Sequence, residues 1–306
     1  METKWRWLLV TAIAPIAWGS NYFVTRQFLP LDYPLWGSTL RALPAGLLLL
    51  ALARSVPRGA WWWKSLVLGA LNVGAFFVLI YIASHLLPSS VAATIMASSA
   101  GVLLLLAWPM LSEHPTWTAA LGAGAGFAGV CVLLLDGGSA VNPVGVLASV
   151  VAMLMSSVGY ILARKWAARE STIAMTSWQL VAGGLLLLPF AAFVEGPPPA
   201  LDGPALAGFA YVTVIATAVA FVAWFSGLRH LPAATVGLVG LLNPVTGVLL
   251  GTLVAAEPFG ARQLIGAGLV VAGVLIGQRR RRVPTGPSRS GRMRCGSCSR
   301  WRPGSP

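Results

Sequence analysis

The chain has 306 residues, 57% of them hydrophobic and only 9% charged, where an ordinary soluble protein carries about 25% charged residues. With a mean hydropathy of +0.78 there are too few polar side chains to cover a soluble surface, which excludes a soluble enzyme, a disordered chain and a nucleic-acid-binding domain. The net charge of +13 is largely a tail effect, because nine of the 21 basic residues lie between Arg279 and Arg302.

Ten apolar segments are marked off by turn-forming runs, at about 5–25, 34–53, 65–83, 89–110, 116–135, 142–164, 172–194, 204–227, 232–253 and 259–277. At about 20 residues per membrane span, ten helices consume roughly 200 residues. Backbone groups inside lipid must bond within their own segment, so stretches of this length predict helices. The predicted fold is an all-α polytopic membrane protein of ten transmembrane helices. The first helix, which follows Lys4 and Arg6, reads as retained because no small-residue cleavage site ends it. Residues 279–306 are rich in Arg, Gly, Ser and Pro and read as a disordered basic tail that holds to an anionic membrane surface.

Basic residues orient the helices. With both termini cytoplasmic, Lys4, Arg6, Arg54, Arg58, Lys64, Arg164, Lys165, Arg169 and Arg229 fall inside together with the tail. Only Arg26, Arg41 and Arg262 fall outside or within a span, so the bias is 9 to 3 even without the tail. Asp32, Asp136, Glu195, Asp202 and Glu257 all fall outside. The expected location is the plasma membrane, with the lipid bilayer as surroundings.

Sliding the chain by 144 residues exposes an internal repeat. Residues 81–130 share 11 identities with 225–274, among them Leu87 with Leu231, Pro88 with Pro232 and Glu113 with Glu257. Five helices per half is an odd number, so the halves, 1–139 and 140–278, insert upside down relative to each other. Two inverted five-helix repeats meeting at the midplane are a transporter design.

The stretches "APIAWGSNYFVTRQFLP", "LRALPAGLLLLALAR", "YIASHLLPSSVAATIM" and "LSEHPTWTAALGAGAGFAGVCVLL", with their echo in "GLRHLPAATVGLVGLLNPVTGVLLGTLVAAEPFGARQLIGAGLVVAGVLIG", resemble the EamA-type family of the drug/metabolite transporter superfamily. The resemblance covers about Trp5 to Gly277. It implies a secondary carrier that exports small organic metabolites such as amino acids by alternating access, with the first, third and fourth helices of each half lining the path. Members of this type often have proline in the fourth helix where this chain has Ala100, while the ninth keeps Pro244; the two gates are then expected to differ in flexibility. The alternative within the same fold is a non-transporting or lipid- or drug-translocating protein.

Path candidates are polar and aromatic residues within the spans, since an unpaired polar group facing lipid is costly. In the first helix these are Trp18, Asn21 and Tyr22, with Ser156, Ser157 and Tyr160 as counterparts in the sixth. The third and eighth helices offer Asn72, Tyr81, Tyr211 and Trp224, and the fourth and ninth offer Ser98, Ser99 and Asn243. The competing readings are interface anchoring for Trp and Tyr, and bonding back to the helix or close contact for Ser. Asn243-Pro244 is the sharpest signal, because proline frees the carbonyl of Gly240 beside an amide side chain. Arg41 lies about 10 Å inside the outer end of its span and either attracts an anionic solute or serves structure by snorkelling or pairing with carbonyls. Glu113 and Glu257 precede prolines and read as caps of the helices that follow, or as gate residues.

No Asp or Glu lies mid-span, which argues against a proton relay through a buried carboxylate; His85, His114 and His230 sit at loops. No intramembrane Ser-His or paired-Asp arrangement points to an enzyme. Cys295 and Cys298 lack the further ligands a zinc site needs, so no metal or cofactor is expected. The spacings Gly122–Gly126 and Gly268–Ala272 mark close helix contacts, either within the chain or across a homodimer. The side-chain inventory suits a zwitterionic small-molecule solute, since a multivalent anion calls for several inward cations.

Overall fold

The computed structural model describes residues 2–30, 32–87, 95–134, 142–167, 170–254 and 260–277, and every regular element among them is helical. In chain order these are α1 (Glu2–Phe28), α2 (Pro34–Ala53), α3 (Trp61–Gly69), α4 (Ala75–Leu86), α5 (Ser99–Leu111), α6 (Trp117–Leu134) and α7 (Pro143–Trp166). They continue as α8 (Thr172–Phe190), α9 (Gly203–Thr213), α10 (Ala220–His230), α11 (Ala233–Gly240), α12 (Leu242–Val254) and α13 (Ala261–Gly277). Five stretches are long and apolar enough to cross a membrane: Pro34–Ala53, Trp61–Ile80, Pro143–Trp166, Thr172–Glu195 and Gly203–His230. Shorter apolar helices cover Ile95–Leu111, Trp117–Val132, Ala233–Gly247 and Leu264–Gly277.

The bundle is apolar outside as well as in its core, with a few polar side chains buried among the helices. Leu9 is 69% and Phe193 90% exposed, whereas Gln179 is fully buried, as are Asn72 and Thr217. Several buried hydroxyls return to their own helices. Thr11 Oγ1 donates to Trp7 O (2.6 Å), and Ser156 and Ser157 Oγ both donate to Met153 O, at 3.1 and 2.7 Å. A hydroxyl bonded in this way adds no polar cost to a lipid-facing bundle.

Two helices contain a joint. A π-turn at Ala70–Gly74 links α3 to α4, and another at Val214–Val219 links α9 to α10; their starts are 144 residues apart, the offset of the sequence repeat. A π-turn adds a residue to the turn and leaves carbonyls with weakened intrahelical bonds, a feature common at functional sites.

Small residues set the crossings. A β-carbon on Gly122 would lie 2.5 Å from Gly273 O, and one on Gly129 would lie 2.7 Å from Gly266 O, so α6 and α13 run antiparallel with their backbones in contact. The α2–α8 pair does the same. A β-carbon on Gly46 would lie 2.7 Å from Val181 N, and one on Gly184 would lie 2.9 Å from Leu43 Cβ. Of the two predicted glycine faces, Gly122 and Gly126 are used inside the chain, the latter against Leu241, while Gly268 faces open space. α1 packs between α10 and α12, and α7 between α4 and α5.

One end of the bundle collects the basic residues. Lys64 lies over the rings of Trp61 and Trp166, Trp178 Nε1 donates to Ser55 O beside Arg54 at 2.8 Å, and Trp7 stacks on His230 next to Arg229. Among the described residues four helix starts have local caps, one of them Thr116, which accepts from Ala119 N at 3.2 Å for α6. Asn142 accepts from Val144 N (2.9 Å) for α7, Ser171 from Ala174 N (3.1 Å) for α8, and Asp202 from Ala205 N (2.8 Å) for α9.

Candidate functional site

These two π-turns bracket an aromatic cluster, while a third, Ala191–Glu195, ends α8. Trp18 lies 5.2 Å from Trp224 and 5.4 Å from Phe221, and Phe77 stands edge-on to Phe221 at 6.5 Å. Tyr160 reaches Trp224 at 5.4 Å and Phe225 at 5.8 Å. Helices α1, α4, α7 and α10 each contribute, and Trp18, Tyr160 and Trp224 meet in space.

At the second π-turn the Ala216 carbonyl faces this cluster. It accepts from Trp18 Nε1 at 3.1 Å and, more weakly, from Arg41 Nη2 at 3.5 Å. Arg41 Nε donates to Thr217 Oγ1 (3.1 Å) and its guanidinium lies 4.4 Å from the Phe77 centroid. Arg41 thus points inward, bonds to Thr217 and the Ala216 carbonyl, and stacks on an aromatic face. At the first π-turn, buried Asn72 donates from Nδ2 to Gln179 Oε1 at 2.9 Å, and its Oδ1 presses on Gly159.

Several buried polar atoms here have no partner among the described residues: Trp224 Nε1, Asn21 Oδ1, Asn72 Oδ1 and Gln179 Nε2. Each such group costs about 1–3 kcal/mol relative to a bonded one. Tyr211 belongs to a satisfied chain, its hydroxyl 2.5 Å from Ser20 Oγ, which donates on to Ala17 O at 2.9 Å.

The fourth and ninth segments are both interrupted, at Ser98 before α5 and at Leu241 between α11 and α12. Ser98 Oγ donates to Ile95 O (2.6 Å), the self-bonding role, and Ser99 opens α5. Pro244 is buried in the first turn of α12, and the Asn243 carbonyl lies where a β-carbon on Gly19 would come within 2.6 Å. Ala100 in place of proline therefore does not abolish the break in the first half. The side chains of Tyr22 and Tyr81, and all of Glu257, lie outside the described residues.

Glu113 does not cap the helix that follows it. Its Oε2 accepts from Ala233 N at 3.0 Å, capping α11 across the bundle, while Oε1 pairs with Arg164 at the end of α7. Glu195 does the corresponding work at the opposite end, its two oxygens accepting from Leu35 N (2.7 Å) and Trp36 N (2.8 Å) to cap α2. The sequence reading missed Glu195, Gln179 and Arg164. Gln179 carried a legible signal, an amide deep in an apolar segment, whereas the partners of the other two are remote in sequence.

A cavity of 290 Å³ opens at the basic end between α7, α8 and α10, with Arg164, Thr172, Phe225 and Arg229 on its wall. Among the described residues no group of three or more His, Cys, Asp or Glu is placed to hold a metal ion.

The EamA-like transporter family model matches the chain twice, over residues 5–135 and 143–277. The chain belongs to this family. The EamA-like protein is 35% identical over 267 residues to the protein PecM of Dickeya dadantii, covering 87% of this chain and 90% of that one. It is 27% identical to the uncharacterized inner membrane transporter YedA of Escherichia coli (85% and 87% covered), and 25% identical to a probable terminal-alkyne amino-acid exporter of Streptantibioticus cattleyicolor (90% and 93%). A solved crystal structure aligns with 89% of this chain and 96% of its own at a TM-score of 0.75 and 20% identity, a likeness of fold. The EamA-like chain is thus a multi-pass membrane transporter, and its surroundings are lipid and a small-molecule solute.

Proposed function

We propose that the protein is a ten-span secondary carrier of the inner membrane that exports small zwitterionic metabolites such as amino acids by alternating access. The observation that carries this reading is the pair of buried groups without a partner among the described residues, Trp224 Nε1 and Asn21 Oδ1, on helices that build the aromatic cluster. Such a donor and acceptor suit a polar solute that bonds to both, while the rings cover its apolar part. The antiparallel crossings of α2 with α8 and of α6 with α13, which sit at corresponding places in the two family matches, support an inverted repeat. Both termini are cytoplasmic in this reading, which rests on the basic end of the bundle. The amino-acid class and the outward direction draw on the exporter among the relatives.

The test is counterflow in proteoliposomes preloaded with pools of unlabelled amino acids, which needs no assumed driving force. Saturable labelled uptake with one pool is the expected result, and Trp224→Phe lowers it. Silence across all pools, with the protein shown to be folded, overturns the amino-acid carrier.

A further inference from the structure

The cavity at the basic end has a charge balance that selects its occupant. Arg164 Nη2 is paired with Glu113, but Arg164 Nη1 is buried with no partner among the described residues. Arg229 Nη1 donates to the uncharged carbonyl of Glu170 at 2.6 Å, leaving the rest of its fork for other acceptors. Two guanidiniums on the wall and one carboxylate on the far side of Arg164 leave an excess of one positive charge. Thr172, the first residue of α8, also lines the cavity, so the positive end of a helix dipole adds to it. A buried guanidinium nitrogen is compensated best by a charge-assisted bond to an oxyanion. At 290 Å³ the cavity has room for a small solute.

Its inner wall is Phe225, which also belongs to the aromatic cluster through Tyr160 at 5.8 Å and Phe221 at 6.0 Å. The cavity and the cluster are therefore neighbours with one ring between them.

We propose that this cavity is a docking site for the carboxylate of a monoanionic or zwitterionic solute, held by the guanidiniums of Arg164 and Arg229 before the solute passes Phe225 to the aromatic cluster. The proposal rests on the carrier reading above and adds to it a place and a chemical class. A solute with two or more negative charges finds no second unpaired cation among the lining residues, and one without a carboxylate leaves the cavity's excess guanidinium charge uncompensated.

The test uses the full chain in phosphatidylcholine nanodiscs, with binding followed by tryptophan fluorescence. The probes are the amino acids that support counterflow, or all common amino acids where none does, each paired with its C-terminal amide. An acid is expected to bind about ten- to a hundredfold more tightly than its amide, the worth of one or two charge-assisted bonds. Arg229→Gln, an exposed position, and Arg164→Lys, which can keep the Glu113 pair, should bring that ratio close to one. Trp224→Phe should keep the ratio and lose flux. Equal binding of acid and amide by the parent protein, or a ratio unmoved by both arginine variants, overturns the site while leaving the carrier reading intact. Carboxylate-selective binding with silent counterflow supports the site and removes the carrier. Repeating the titration with phosphatidylglycerol in the nanodiscs separates the two oxyanion sources: loss of acid binding there assigns the cavity to a lipid headgroup and overturns the solute proposal.

Discussion

Trp224 combines two opposite energetic roles in one side chain. Its ring is packed against Trp18 and Tyr160, while its Nε1 is buried without an acceptor among the described residues. Removing an unsatisfied donor relieves a cost of about 1–3 kcal/mol, whereas removing the ring opens a cavity. Trp224→Phe is therefore expected to leave the melting temperature unchanged or slightly higher while lowering counterflow at least tenfold; a stability loss with flux retained would place the ring, not the N–H, at the centre of its role. Arg41 gives the opposite pattern. Thr217→Val deletes the hydroxyl that accepts from Arg41 Nε, and a thermal melt should show a loss of about 1–3 kcal/mol because a charged donor is left short of a partner. At this scale the sequence was legible where a residue type announces itself inside an apolar run, as with Trp18, which joins the aromatic cluster, and Asn72, which is fully buried. It was silent where function depends on the partner, which is why Glu195 and Arg164 were passed over. Glu195 sits beside a loop in the sequence and yet caps α2, through Leu35 N and Trp36 N.

Among the elements, helix existence followed from span-length apolar runs, and two of the three π-turns among the described residues start 144 residues apart, the repeat offset, although nothing in the sequence announced a π-turn. A π-turn leaves no compositional mark, because it depends on which carbonyls find partners outside the helix, here Ala216 O with Trp18. The break before α5 shows the same limit. Proline marks the break in the ninth segment, but the fourth breaks at Ser98 without one. The glycine crossings were legible as spacings, and the structure adds which partner each one faces. Gly273→Val would drive methyl groups into the Gly122 carbonyl and the Gly126 backbone, so α6 and α13 must separate. Overpacking of this kind costs about 1–3 kcal/mol, read as a lower melting temperature, whereas Gly268→Ala, which faces open space, should change it little.

For the molecule as a whole, the bias of basic residues to one end sets a testable orientation. Arg58→Cys and Gly196→Cys, both outside the helices, should label from opposite membrane faces with an impermeant maleimide; labelling from one face would remove the proposed span count. The two halves meet at joints of matching position and unlike chemistry. One joint presents an amide, Asn72, bonded to Gln179, and the other presents a bare carbonyl shared by Trp18 and Arg41. Exchanging the conformations of the halves therefore does not produce an isoenergetic partner state. An imbalance of 1.4 kcal/mol, comparable to one hydrogen bond, already makes an equilibrium about ten to one. In the proposed alternating-access cycle, unequal joints would set which face the empty carrier waits on, and so how readily it is reset. They leave the direction of net movement to the solute gradients and to any ion that travels with the solute.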